Sequence, residues 1–386
     1  MRRSAGQASH RIVDIELLRA VAVVMVLVEH VPLNLVTWPN SPMDYMLAYC
    51  RTWTGVDLFF AVSGFVIGRT VLPLVHTAPD HPAYLRATLA FWTRRAWRLL
   101  PSAWLWLLIP LLASAFFNRS GLFGTTGATY ADAVAAILQV ANFRLAEGWG
   151  HAPHTVLFPY WSLSLEEQFY LVLPCLVFLA RRRLPLIMAA LLAWQFLPVT
   201  SVTGMATRTG AIAAGVLLAH WSGSDSWAVC EPHGLAKSRV CRLALLGGGI
   251  LLLGALGSDV IKIVSFREAL IAVIAAGLVW VASYDRGYLS RGLFPRAPML
   301  WLASRSYSLY LIHVPTYVAT REIWVRLSPP GTVFGGTYTI RYSLTALTLL
   351  LVLSELNHRL VEQPLRRHGA RVALRMAPSP SGQLHA

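Results

Sequence analysis

The sequence predicts an all-α polytopic membrane protein with about ten transmembrane helices and both termini in the cytoplasm. Of its 386 residues, 56% are hydrophobic and only 13% are charged, and the mean hydropathy is +0.54. A soluble domain cannot bury so large a share of apolar surface. The 33 Lys and Arg residues outnumber the 18 Asp and Glu residues, and most lie between apolar runs, as cytoplasmic flanks do.

Ten apolar segments support this number of helices, although several are short for a span. In chain order they cover 13–35, 54–75, 99–117, 161–180, 184–199, 206–221, 243–257, 260–282, 299–318 and 338–359. The stretch 128–146 is a weaker candidate, because Asp132, Gln139 and Asn142 interrupt it.

The basic loops argue against a crossing by 128–146. If this stretch crossed the membrane, the cluster Arg181–Arg183 and every later basic loop would face outward. We therefore predict a membrane domain with an outer-face excursion, re-entrant or lying along the interface. The predicted divisions are a cytoplasmic arm over 1–11, the membrane domain over 12–367, the excursion over 118–160 and a disordered cytoplasmic tail over 368–386.

The first apolar segment carries two ionisable side chains, Arg19 and His30, eleven positions apart. Eleven steps of 100° make three turns plus roughly 20°, so both side chains share one helix face, about 16 Å apart along the axis. A charged group at that depth costs at least ~2.5–3.5 kcal/mol, which favours a functional role. Alternatively, Arg19 snorkels to the cytoplasmic edge and His30 bonds a neighbouring helix.

The next two segments contribute a carboxylate and several guanidinium groups. Asp57 stands near the outer end of the second segment and Arg69 near its inner end, although Asp57 can also simply cap the helix. Arg95 and Arg98 share a helix face at the cytoplasmic edge. Arginine forks bind phosphate bidentately, whereas ordinary positive-inside anchoring is the alternative explanation.

Two later segments add polar stripes. Glu166 and Tyr170 share one face of the fourth span, and Trp161 stands at its outer interface. A carboxylate beside His30 would raise the basicity of that histidine and fix its tautomer, as in a general base. In the ninth span, Tyr310 and His313 form a polar stripe with Ser306. Glu362, before Pro364, is assigned a structural or capping role.

Neither a disulfide framework nor a metal site is predicted. The four cysteines form no CxxC pattern, and His151 and His154 have metal-like spacing without companion ligands. The formal charge of +15 does not require nucleic acid as a partner. It fits cytoplasmic flanks, the lipid bilayer and a phosphate-bearing co-substrate equally well.

Taken together, these pieces resemble the acyltransferase-3 family of polytopic membrane O-acyltransferases. The resemblance runs over nearly the whole chain and rests on six motifs in the family's order. They are the Arg19-to-His30 spacing, GVDLFFAVSGF at 55–65, RRAWRLLP at 94–101, WSLSLEEQFY at 161–170, SYSLYLIHVP at 306–315 and VEQPLRR at 361–367. Gln363 departs from the family, which often has a basic residue at that place.

The resemblance implies transfer of an acetyl or other short acyl group from acyl-CoA to a hydroxyl group. It implies acyl-CoA as a co-substrate, with no permanently bound cofactor and no metal. The residues expected to act fall into three groups. They are His30, Glu166 and Asp57 for catalysis; Arg19, Arg69, Arg95 and Arg98 for acyl-CoA; and Trp161, Tyr170, Tyr310 and His313 for the substrate.

The expected location is the bacterial cell membrane, and the first expected acceptor is a macrolide antibiotic or its sugar. This choice follows because the chain shows no extracytoplasmic hydrolase-like domain, as in short family members. The alternative acceptor is a cell-surface polysaccharide. A membrane transporter for an anionic solute is the alternative of another class. The sequence leaves the oligomeric state open.

Overall fold

The computed structural model describes residues 12–32, 34–151, 155–197, 204, 206–261, 264–292 and 294–376, and this part of the chain is almost entirely helical. The α-helices are, in order, α1 Val13–Glu29, α2 Pro42–Tyr49, α3 Gly55–Val71, α4 Leu74–Thr77, α5 His81–Phe116, α6 Thr126–Ile137, α7 Ala141–Gly148, α8 Tyr160–Ala180, α9 Leu184–Trp194, α10 Gly210–Trp221, α11 Ser226–Val229, α12 Arg239–Gly257, α13 Arg267–Ala282, α14 Arg296–Leu327, α15 Thr339–Asn357 and α16 Gln363–Met376. Short 3₁₀ turns lie at Arg181–Arg183, His233–Lys237 and Gly336–Tyr338, and a π-helix lies at His358–Glu362. The described residues form no β-strand.

The predicted all-α membrane character is confirmed. Each of the ten predicted apolar segments coincides with a helix. Four helical stretches are long and apolar enough to cross a bilayer: Gly55–Thr77, His81–Phe116, Arg239–Gly257 and Gly336–Met376. The number of spans and the side of each terminus stay predictions. The predicted disorder of the tail over 368–386 was wrong for 368–376, which lie in α16, and residues 1–11 and 377–386 lie outside the described residues.

Several predicted boundaries were wrong, and two of them bear on the site. Helix α1 ends at Glu29 rather than near residue 35, and α5 begins at His81, well before the predicted residue 99. The basic stretch 86–98, which precedes the predicted span, is therefore part of the same helix. Asp80 caps α5 by accepting a hydrogen bond from the backbone N–H of Ala83 (2.7 Å). At 1.5 Å per residue the 36 residues of α5 extend about 54 Å, which exceeds a hydrocarbon core of about 30 Å.

The segment 128–146 does not form one continuous helix. It folds into α6 and α7, of 12 and 8 residues, which are too short to cross a bilayer. The chain turns between them at Gln139, whose φ is 59°. The carbonyl of Gln139 accepts a hydrogen bond from Gln168 Nε2 of α8 (2.6 Å). This agrees with the prediction that 128–146 is not a span, whereas its placement on the outer face stays a prediction.

Helices α3 and α10 touch backbone to backbone. A Cβ at Gly64 would lie 2.1 Å from the carbonyl oxygen of Ile212, and a Cβ at Gly215 would lie 2.2 Å from that of Ala61. Small residues permit such close approach between membrane helices. With α10 held against one face, α3 turns Phe59 and Ser63 toward a cavity on its other face.

Candidate active site

A cavity of about 610 Å³ lies between α1, α3, α5, α8, α14 and the π-helix. Arginines outnumber glutamates five to three in its lining. These residues are Arg19, Arg95, Arg98, Arg305 and Arg366, with Glu16, Glu166 and Glu362. We call this space the arginine cavity. Its excess of positive charge suits a polyanionic ligand.

Arg19 is held at the cavity wall by one contact within its own helix and one contact to a second helix. Its guanidinium forms an ion pair with Glu16 of the same helix (3.3 Å). It also donates a hydrogen bond from Nη2 to the hydroxyl of Ser306 on α14 (2.9 Å). These contacts orient the charge toward the cavity, and the expected role of Arg19 in binding acyl-CoA stays a prediction.

Glu166 belongs to the arginine cavity and not to the histidine end of α1. Its carboxylate accepts hydrogen bonds from the hydroxyl groups of Ser63 and Tyr170. The guanidinium carbon of Arg95 lies 4.6 Å from the centre of the Tyr170 ring, within the range of a cation–π contact. Glu166, Tyr170 and Arg95 thus form one polar wall of this cavity.

Arg98 has a buried hydrogen-bond donor without a partner among the described residues. Its Nε is buried and makes no hydrogen bond to a described residue. Neither Arg98 nor Arg95 forms an ion pair with a described carboxylate. A buried donor without a partner is costly, which indicates a binding position for an anionic ligand.

The π-helix forms the opposite wall, and sequence reasoning missed most of it. Glu362 is buried and accepts hydrogen bonds from Ser308 Oγ (3.0 Å) and from His358 Nδ1 (3.1 Å). Asn357 donates to the same Ser308 hydroxyl (2.8 Å). The structural role assigned to Glu362 was therefore incomplete, since Glu362 and His358 also line the cavity. The sequence feature that could have identified this wall is the occurrence of three polar residues within six positions at the end of an apolar span, namely Asn357, His358 and Glu362.

His30 lies at the C-terminal end of α1 and contacts His313 of α14. The distance from His30 Nδ1 to His313 Nε2 is 3.1 Å, and the ring centroids lie 4.9 Å apart. The predicted orienting partners of His30, Glu166 and Asp57, were wrong, because each of them bonds elsewhere. His313 is fully buried, so it orients His30 and has no surface with which to bind substrate directly.

The hydrogen bonds define a tautomer for each histidine. His30 Nδ1 lies 2.9 Å from the carbonyl of Val26, and His313 Nδ1 lies 2.6 Å from the carbonyl of Tyr310. A carbonyl oxygen only accepts, so both Nδ1 atoms carry hydrogen. His313 Nε2 then accepts from His30 Nδ1. The Nε2 of His30 keeps its lone pair and makes no hydrogen bond to a described residue, which is the condition of a general base.

Tyr310 separates the arginine cavity from the histidine pair. It lines the cavity, its hydroxyl contacts Ser162 Oγ (2.5 Å) and donates to the carbonyl of Pro159 (3.1 Å), and its ring lies 5.7 Å from that of His313. Neither histidine of the pair lines the cavity, so Tyr310 is the contact between the cavity and the histidine pair.

The end of α1 that carries His30 is anchored by Glu29, a residue that the sequence did not single out. Its carboxylate accepts from the backbone N–H groups of Thr52 (2.7 Å) and Trp53 (3.0 Å) and pairs with Arg51 (2.6 Å). These contacts fix the position of His30 relative to the start of α3. The sequence feature that could have identified this anchor is the position of Glu29 directly before His30.

Asp57 is paired with Arg208 of the chain segment that precedes α10. The two side chains are buried and lie 3.4 Å apart. The Arg208 guanidinium lies over Trp53 and Trp161, at 4.5 and 5.3 Å from their ring centres. Asp57 thus takes part in a buried ion pair that joins helices, and Arg208 was missed because it stands alone at the start of an apolar run.

Two further predicted residues lie outside the lining of the arginine cavity. Trp161 packs beneath Arg208, and Arg69 is exposed with its guanidinium 5.7 Å from the Phe65 ring. Their assigned roles stay predictions. Among the described residues no group of three or more His, Cys, Asp or Glu side chains is arranged to hold a metal. His154, of the proposed metal-like pair, lies outside the described residues.

Comparisons with known proteins agree on one family. An acyltransferase domain model, Acyl_transf_3, matches residues 12–354. The chain is 25% identical to the peptidoglycan O-acetyltransferase OatA of Listeria monocytogenes, over 96% of this chain and 58% of that protein. It is 27% identical to the O-acetyltransferase OatA of Staphylococcus aureus, over 85% of this chain and 55% of that protein. The chain thus spans about half the length of these relatives. No solved structure matches it.

Proposed function

Because this chain belongs to the acyltransferase family whose model covers residues 12–354, we propose that it is an integral-membrane O-acetyltransferase. It moves an acetyl group from acyl-CoA to a hydroxyl of a cell-envelope glycan. The observation that carries the proposal is the position of a neutral histidine pair just beyond an arginine-lined cavity. The chain is a multi-pass membrane protein, so both features lie within one bundle.

The arginine cavity binds the donor. CoA is a polyanion, and Arg95, Arg98 and Arg19 supply charge-assisted hydrogen bonds to its phosphates. Arg98 has a donor that lacks a protein partner, and a phosphate oxygen would satisfy it. The thioester points toward Tyr310, at the end of the cavity nearest the histidines. A side-chain movement of Tyr310 then brings the acyl carbonyl within reach of His30.

His30 removes the proton of the acceptor hydroxyl through Nε2. As the proton leaves, the acceptor oxygen forms a bond to the thioester carbonyl carbon. The C–S bond breaks, and the CoA thiolate takes up the proton that His30 received. His313 stabilises the imidazolium formed during this step, because its Nε2 accepts from His30 Nδ1. General-base catalysis of this kind contributes about 10²–10⁴-fold to a rate.

The names of the relatives favour a glycan as the acceptor. Those of L. monocytogenes and S. aureus are called O-acetyltransferases, and the first is specified as acting on peptidoglycan. The macrolide acceptor expected first from the sequence has no such support. We therefore propose the polysaccharide alternative, with an amino-sugar glycan as the acceptor.

The test measures both halves of the reaction with detergent-purified protein. Free thiol release from acetyl-CoA is followed with and without de-O-acetylated peptidoglycan glycan strands, and product O-acetyl groups are quantified. We expect glycan-dependent release that falls at least about 100-fold in His30→Ala. Retention of the wild-type rate in a folded His30→Ala protein would overturn the role of His30.

The same preparation separates the enzyme from a transporter. Proteoliposomes are loaded with glycan strands and offered acetyl-CoA outside. Uptake of the intact anion without loss of thioester would contradict the proposed function. Formation of O-acetyl groups with a matching amount of free thiol would support it.

A further inference from the structure

We infer that a second cavity, which shares no lining residue with the arginine cavity and reaches His30 through Phe158, binds one sugar ring of the acceptor. This inference rests on the proposed function and names the place where the glycan lies. The cavity has a volume of about 250 Å³ and is formed by α6, α7 and the chain leading to α8. We call it the Asp132 pocket. Its lining includes Ala128, Asp132, Arg144, Glu147, Thr155 and Phe158.

Phe158 connects the Asp132 pocket to the histidine pair. The Phe158 side chain lines the pocket, and its ring centroid lies 5.2 Å from that of His30. The Asp132 pocket and the arginine cavity share no lining residue. The histidine pair therefore contacts a lining residue of each space, since His313 lies beside Tyr310 and His30 lies beside Phe158. A transferase that joins two substrates needs this arrangement around its base.

The charge of the Asp132 pocket is opposite to that of the arginine cavity. Two carboxylates, Asp132 and Glu147, face one guanidinium, Arg144. A polyanion such as CoA is repelled by a net negative lining. Carboxylate oxygens are acceptors only, so they suit the hydroxyl and amide hydrogens of a neutral sugar.

The polar groups of the pocket are held in place before any ligand binds. Asp132 accepts hydrogen bonds from Arg144 Nε (2.6 Å) and from the Thr155 hydroxyl (2.6 Å). By contrast, the exposed Glu147 makes no hydrogen bond to a described residue. Asp132 is therefore held in a fixed position by its hydrogen bonds, whereas the Glu147 carboxylate is available to bind a hydroxyl group of the ligand.

The shape of the pocket also fits a single sugar ring. Ala128, Ala135, Leu157 and Phe158 form apolar surface beside the carboxylates, which matches the alternating C–H and O–H faces of a pyranose. A volume of about 250 Å³ lies below the roughly 300–1,000 Å³ typical of drug-sized ligands. The helices that form it are tied to α8, since Gln168 bonds the Gln139 carbonyl, so the pocket is preorganised.

The test reduces the volume of the Asp132 pocket without changing any residue of the arginine cavity. Ala128→Leu places a larger side chain in the lining, and Ala131→Leu, on the same helix but outside the lining, is the matched control. With acetyl-CoA and de-O-acetylated peptidoglycan strands as probes, we expect Ala128→Leu to raise the KM for glycan at least about tenfold. The KM for acetyl-CoA and the slow thioester hydrolysis without glycan stay at wild-type values, as they do in Ala131→Leu.

Glu147→Gln provides a second variant that an exposed position tolerates without unfolding. We expect it to raise the KM for glycan about threefold to tenfold, since a neutral amide oxygen is a weaker hydrogen-bond acceptor than a carboxylate. Wild-type KM values for glycan in both Ala128→Leu and Glu147→Gln would overturn the assignment of the pocket. A wild-type protein that cleaves no thioester and acetylates no strand would instead overturn the proposed function.

Discussion

The two ends of α1 provide opposite environments for their functional side chains. Arg19 faces a cavity with five arginines and is held by an ion pair and a hydroxyl. His30 contacts a backbone carbonyl and a second, fully buried histidine. The Arg19 end carries side chains with permanent charge, whereas the His30 end carries neutral groups that can exchange a proton.

This difference shows how a single helix can serve both substrates of a transfer reaction. Fixed positive charge binds an anion but cannot take a proton at neutral pH, because arginine stays protonated. A neutral imidazole can take the proton but attracts an anion only weakly. The separation of about 16 Å along the axis keeps the arginines from adding positive charge next to the base.

The largest effect in this comparison is expected from the partner of His30. Replacing His313 by Leu leaves the Val26 carbonyl as the remaining acceptor for His30 Nδ1–H, so the imidazolium loses part of its support. We expect kcat to fall about 10–100-fold, within the range of general-base catalysis, while the KM for acetyl-CoA stays unchanged. Steady-state kinetics with purified protein measure kcat and the KM for acetyl-CoA separately and so check this prediction.

Two further variants keep that prediction specific. In His313→Gln the amide oxygen can accept from His30 Nδ1, so we expect part of the lost kcat to return. Thr320→Val is the matched control, because this buried hydroxyl bonds only a carbonyl of its own helix (2.8 Å). Equal kcat in His313→Leu and the wild type would contradict the positioning role.

A smaller effect on the other substrate is expected at the arginine end. Arg98→Gln removes one charge-assisted donor, and such bonds contribute about 1.5–3 kcal/mol. We expect the KM for acetyl-CoA to rise about tenfold with little change in kcat, and the difference to shrink as salt increases. Arg94→Gln is the control, because Arg94 lies on the same helix but does not line the cavity. Equal KM values for the two variants would argue against donor binding in this cavity.

The smallest effect is expected from the ion pair beside Arg19. Its two side chains are 21% and 13% exposed, and a partly solvated pair contributes about 0–1 kcal/mol. Glu16→Gln leaves the Ser306 hydrogen bond in place and removes one negative charge from the cavity. We expect the KM for acetyl-CoA to fall about twofold to threefold. A tenfold rise would show that Glu16 orients Arg19 in a way that Ser306 cannot replace.

The site was predicted from the sequence only where its residues share one helix. The spacing of Arg19 and His30, and of Arg95 and Arg98, is a property of helical geometry, and the structure places both arginine positions on the cavity. The partner of His30 could not be found in this way. His313 is 283 positions away in the chain, and several polar side chains were equally plausible partners by depth alone.

The sequence by itself determined the apolar segments, the family and the residues that carry charge within the membrane. These follow from composition and from periods of 3.6 residues, which are local properties of the chain. Only the tertiary structure decided that Glu166 lies with Arg95, that Asp57 pairs with Arg208, and that Phe158 connects His30 to a second pocket. Such contacts depend on the rotation and packing of helices that are distant in sequence, and side-chain packing sets those angles.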